Sequence, residues 1–138
     1  MIESPNALKS AGRFTIAARL RSFIFAWRGL RWLVYNEHNA RVHLAASIVA
    51  IGAGLFLNIS ANDWRWLLLA IGLVWLAEAF NTAFEQMCDR VEPNFDPVIG
   101  RIKDICAGAV LMASIVAAGI GLLTLGPPVW AMLDGIRP

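Results

Sequence analysis

Glu78, Asn81, Glu85 and Asp89 stand at positions i, i+3, i+7 and i+11 of the stretch EAFNTAFEQMCD. At about 100° per residue a helix carries all four within an arc of about 80°, so one face presents three carboxylates and an amide. Glu78 interrupts an apolar run from Trp66 to Phe84. An acid at that depth in hydrocarbon costs at least about 2–3 kcal/mol, and such a residue ordinarily faces protein or a wet cavity. Two further groups border the same membrane level from other parts of the chain: Glu37 in NEHNARVH, and the adjacent pair Lys103 and Asp104. Carboxylates, together with water and phosphate oxygens, are the ligands a magnesium ion takes, and a lysine beside them meets a phosphate. With arginines close by, this set suits phosphoryl transfer, in which the protein mainly positions groups and neutralises charge. The chain has neither a GxxxxGK-S/T loop nor a protein-kinase signature, which excludes nucleotide binding by those soluble folds.

The elements that must carry these residues are membrane helices. Of 138 residues, 58% are hydrophobic and 16% charged, and the mean hydropathy is +0.59, too apolar for an ordinary soluble domain. Apolar stretches run from Leu44 to Ile59, from Trp66 to Phe84 and from Ile105 to Leu133, the last without a charge. A bilayer core takes roughly 20 helical residues; the first stretch reaches that length with His43 and Asn58 at the interfaces. A soluble bundle would need a polar stripe on each helix, and the long last run offers only Ser114 and Thr124. The expected fold is therefore all-α and integral to the membrane, with transmembrane helices over residues 36–59, 64–90 (including a cytoplasmic extension) and 101–133. Residues 1–11 read as a tail and 91–100, with two prolines and a glycine, as a cytoplasmic loop. Residues 12–35, where arginine alternates with bulky apolar side chains, predict an amphipathic helix lying in the interface. That helix reads equally as an anchor or as a surface presenting lipid to the site, with Arg31 the candidate contact beside Glu78. Small residues at Ala113, Ala117, Ala118, Gly119 and Gly121 suit close helix packing, and so few helices imply burial by oligomerisation.

Lys9, Arg13, Arg19, Arg21, Arg28, Arg31 and Arg41 precede the first span against Glu3 and Glu37. Short cytoplasmic segments retain Lys and Arg, so the N-terminus and the acidic cluster are expected in the cytoplasm and the C-terminus outside. Trp27 and Trp32 are then expected near the inner interface, and Trp64, Trp66 and Trp130 near the outer one. The opening residues lack the apolar core and cleavage site of a signal peptide. Net charge is only +2, and bases gathered beside a membrane imply topology and anionic-lipid contact, not nucleic-acid binding. Cys88 and Cys106 lack the short spacing of a zinc site and read as small buried thiols. His38 and His43 read as interfacial histidines, because carboxylates already provide hard metal ligands.

The string E-x-x-N-S/T-A-x-E-x-x-x-D, followed by K-D-x-x-A-G-A-V at the start of the last span, resembles the prokaryotic diacylglycerol kinase family; here these are EAFNTAFEQMCD and KDICAGAV. The likeness continues through SFIFAWRGL and EHNARVH and covers roughly residues 19 to 125. The resemblance implies a bacterial inner-membrane homotrimer of three-span subunits, with sites between neighbours, that transfers the γ-phosphate of ATP to a lipid hydroxyl. It implies Glu78 as general base with Asn81 in support, Glu37 and Glu85 as ligands of Mg2+ beside the ATP, and Lys103 and Asp104 as nucleotide contacts. The loop EPNFDP resembles a family loop whose backbone lies near the nucleotide, which brings in Asn94 and Asp96, although the central residues differ. Where the family carries an arginine and a tyrosine near the nucleotide, this chain has Ala18 flanked by Arg19, and Phe25.

Diacylglycerol, giving phosphatidate, is the leading substrate expectation, and undecaprenol the alternative, since EHNARVH resembles that branch of the family as much as any. The residues alone leave other readings open. Lys103 and Asp104 also suit an interfacial salt bridge, and Glu37 a solvated acid at a helix end. Glu78 and Glu85 would also serve a non-catalytic subunit that binds ions or protons.

Overall fold

The structure, a computed structural model, describes residues 16–135, the side chains of Ala17 and Ala18 excepted. The expected tail, residues 1–11, and the first residues of the expected surface helix, 12–15, lie outside them. Four helices follow one another: α1 (Ile16–Asn36), α2 (His38–Phe56), α3 (Ala61–Val91) and α4 (Pro97–Leu133). No strand occurs among the described residues. As composition implied, α2, α3 and α4 are long and apolar enough to cross a membrane. The chain divides into two units, Met1–Trp32 and Leu33–Pro138. Within the first, the Arg28 guanidinium lies 5.8 Å from the centroid of the Phe25 ring, within cation–π range.

The second unit is organised around α3, which packs most extensively on α4 and less on α2. Its buried residues, Leu67, Ala70, Val74, Glu78, Asn81, Thr82 and Cys88, follow helical spacing and form one stripe. The stripe is apolar through Val74 and polar from Glu78 to Thr82, so the inward face of α3 changes character along its length. The buried residues of the other two helices are Ala40 and Gly54 on α2 and Val110, Ala113 and Thr124 on α4.

Element ends follow local chemistry. Asn58 takes φ +50°, and the Ile59 amide donates to Gly54 O while the Asn58 amide donates to Leu55 O. This is the paired closure that ends helices at a left-handed residue, a conformation asparagine tolerates. Ser60 then caps α3, accepting from the Asp63 amide at 3.2 Å and donating to Asp63 Oδ2 at 2.6 Å, with Asp63 in the first turn where the helix dipole favours an acid. Helix α3 therefore begins before the residue 64 that hydropathy suggested.

The loop expected over 91–100 is shorter, and α4 begins at Pro97 instead of 101. Asp96 Oδ1 accepts from the amides of Val98 at 2.7 Å and Ile99 at 3.0 Å, and proline in the first turn lacks only an amide that would have no helical partner anyway. Near the other end, Pro127 and Pro128 remain inside α4 without ending it, as prolines can in membrane helices when neighbouring groups or small backbone adjustments take up the freed carbonyls.

Candidate active site

Between α2, α3 and α4 lies a chamber of about 280 Å³ whose polar lining is Asn39, His43, Glu78, Asn81, Glu85 and Ser114. The i, i+3, i+7 spacing on α3 thus brings three of the expected residues onto one wall. Glu78 is 1% exposed, and its Oε2 has no hydrogen-bond partner among the described residues. Nearest to that oxygen among recorded polar contacts is His43 Nε2 at 3.8 Å, within ion-pair range but beyond a hydrogen bond. Asn81 donates through Nδ2 to Glu85 Oε1 at 3.2 Å, while its own Oδ1 is buried without a partner. Glu37 is the residue that caps α2, with no side-chain cap bond, and it is not among the residues that line the chamber.

A second chamber, of about 280 Å³ and mostly apolar, is walled by residues such as Ala50, Leu67, Ala70, Val74 and Ala117. His43 and Ser114 line both chambers. An acid beside a polar space that adjoins an apolar one is an arrangement that can receive a molecule with a polar end and an apolar remainder.

The other expected residues lie elsewhere. Lys103 forms an ion pair with Asp89 of α3, not with its neighbour Asp104, and so ties the start of α4 to the end of α3. Asp104 is exposed. The Asn94 amide and side chain both donate to Glu92 Oε1 at 3.0 Å, and Asp96 serves as the α4 cap described above. Arg19, Phe25 and Arg31 are exposed on α1; spaced six positions apart, successive members are roughly 120° apart around the helix, so no single face presents all three. Both cysteines are free thiols, Cys88 buried and Cys106 half-buried.

The chamber's donor set suits a hard divalent cation. Glu85 contributes carboxylate oxygen, and the orphaned Asn81 Oδ1 beside it is an amide oxygen, both of the class magnesium accepts. Among the described residues no three of His, Cys, Asp and Glu close around one point. An ion held by these two oxygens would take its remaining ligands from water and phosphate.

Sequence reasoning missed His43 as a member of this cluster. Its side chain is 17% exposed and faces Glu78, a pairing that the reading of His43 as an interfacial histidine does not include. The available signal was the four-residue spacing of Asn39 and His43, which places both on one face of α2.

The chain matches the family described as prokaryotic diacylglycerol kinase over residues 24–125. It is similar to an undecaprenol kinase of Bacillus subtilis, 32% identical over 107 residues that make up 78% of this chain and 87% of that protein. It is also similar to a diacylglycerol kinase of Synechocystis sp., 33% identical over 115 residues, covering 83% of this chain and 66% of that protein. A diacylglycerol kinase of Escherichia coli is 33% identical over 93 residues, covering 67% of this chain and 76% of that protein. With most of its length matching the family and with three helices long and apolar enough to cross a membrane, which together line a chamber around Glu78 and Glu85, the chain belongs to the prokaryotic diacylglycerol kinase family of lipid kinases.

Proposed function

We propose that the protein phosphorylates diacylglycerol at the expense of ATP, giving phosphatidate and ADP at the cytoplasmic face of the inner membrane. The observation that carries this reading is the Glu78 carboxylate, buried and with one oxygen unpartnered in a polar chamber that adjoins an apolar one. In the proposed reaction Glu78 takes the proton of the lipid hydroxyl as that oxygen bonds to the γ-phosphorus. The bond from the γ-phosphorus to the β–γ bridging oxygen breaks, and ADP leaves with the electron pair. Asn81 holds the wall of the chamber through its bond to Glu85. Glu37 and Glu85 would hold Mg2+, which when bound offsets the charge of the phosphates.

Lys103 and Asp104, with Asn94 and Asp96 of the preceding loop and Arg19 and Phe25 of α1, are the proposed nucleotide contacts; Arg31 is the proposed contact for the lipid. A homotrimer with sites shared between neighbours would bring together groups that one chain leaves apart. The Bacillus subtilis relative, an undecaprenol kinase by name, favours a second reading in which an isoprenoid alcohol is the acceptor by the same chemistry.

The test offers purified protein both lipids side by side in mixed micelles with magnesium and γ-labelled ATP. Label chiefly in phosphatidate is the expected result, and label chiefly in undecaprenyl phosphate would replace it with the second reading. Well-folded protein that labels neither lipid would overturn both.

A further inference from the structure

The Glu78 carboxylate needs a group that fixes its direction, because a buried acid whose oxygen meets no donor is free to turn from the chamber or to lose its charge. On the α3 side nothing holds Glu78 Oε2. Across the interface, α2 presents His43 with Nε2 3.8 Å away, the two side chains being 17% and 2% exposed.

The backbone of His43 is itself fixed. Ser47 Oγ donates to His43 O at 2.7 Å, and that same Oγ accepts from Trp75 Nε1 at 3.0 Å. Trp75 and Glu78, three apart on α3, therefore meet Ser47 and His43, four apart on α2, in two polar links about one turn from each other. The first link sets how α2 is rotated against α3, and that rotation aims the imidazole at the carboxylate.

We propose that His43 is a positioning residue for Glu78, its Nε2–H directing the carboxylate oxygen into the chamber where an acceptor hydroxyl must arrive. This rests on the reading of Glu78 as general base. Closing the 3.8 Å separation to a hydrogen bond takes about 1 Å of side-chain movement, and catalytic hydrogen bonds commonly tighten only once substrate is bound. An imidazole with its proton on Nε2 donates whether neutral or charged, so the role does not depend on histidine being protonated. His43 also stands where the polar and apolar chambers adjoin, so it would orient the base at the boundary that a lipid hydroxyl crosses.

The test compares lipid phosphorylation by the full-length wild type, His43→Leu and His43→Gln in mixed micelles, with thermal unfolding midpoints measured alongside. Leucine removes the donor, whereas the glutamine amide reaches about as far as Nε2. His43→Leu should lower kcat about ten- to a hundredfold, the range for a misdirected catalytic group, with KM for lipid and ATP changed less than about threefold, because a group acting only in the transition state leaves binding intact. His43→Gln should recover most of the rate.

Equal losses in the two variants, a loss confined to KM, or no loss would each overturn the proposal. If the leucine variant does not fold, His43→Asn takes its place. Its amide is one methylene shorter and should lose kcat where glutamine keeps it; equal rates for the two would overturn the proposal. A wild type that transfers no phosphate would instead remove the kinase reading on which the proposal stands, an outcome separable from any difference among variants.

Discussion

Glu78 and Glu85 differ in what surrounds them although they share a face of α3. Glu78 is buried with an oxygen unpartnered, whereas Glu85 is half-buried and accepts from Asn81. The first environment suits a base that waits for a proton, and the second a ligand whose charge meets a cation. Glu85→Ala should therefore raise the magnesium concentration for half-maximal activity about tenfold or more, the scale on which even supporting groups of metal sites act. An unchanged magnesium titration would remove Glu85 from that role. The α3 part of the site was legible because residues on one helix share a face at fixed spacing, so Glu78, Asn81 and Glu85 could be grouped from the string alone. His43 was not, since its partner lies on another helix and the rotation of α2 against α3 depends on Trp75 and Ser47, 28 residues apart. The same reason hid the pairing of Lys103 with Asp89.

Helix ends decide where these faces point. The turn between α2 and α3 is closed by Asn58 and Ser60, and it brings the Trp64 ring and Ile59 over Gly54, where a Cβ would stand 3.0–3.1 Å from their atoms. At Gly52, two residues earlier, a Cβ would meet nothing within 4 Å. Gly54→Leu should lower stability by about 1–3 kcal/mol, the usual cost of overpacking, read as a lower unfolding midpoint in detergent, and Gly52→Leu should leave it nearly unchanged. Equal shifts in the two variants would contradict this packing of the turn. Hydropathy located each span, but the capping side chains set the ends: Ser60 advances the start of α3, and Asp96 with Pro97 turns most of an expected loop's second half into helix.

Across the whole chain, apolar surface remains where a soluble protein would have closed it. Leu122 and Leu123 are 74% and 78% exposed, and Val49 and Leu55 are similarly open, so lipid or neighbouring copies must cover them. Composition made the spans legible, since a run such as that from Ile105 to Leu133 has no soluble equivalent. It carried no record of which outward faces meet another chain, because lipid tails and packed side chains are equally apolar. The proposed trimer should be trapped by crosslinking in native-like membranes; recovery of monomer alone would contradict a site shared between subunits.

The reading as a whole depends on proton removal by one buried carboxylate. Its most direct measurement is the single-turnover rate of γ-phosphate transfer to diacylglycerol by wild type and Glu78→Gln, with equal folding and nucleotide binding verified beforehand. Loss of about 10²- to 10⁴-fold in the glutamine variant is the expected result, the range for removing a general base. A rate within about threefold of wild type would contradict Glu78 as the base, since removing a general base costs far more than that.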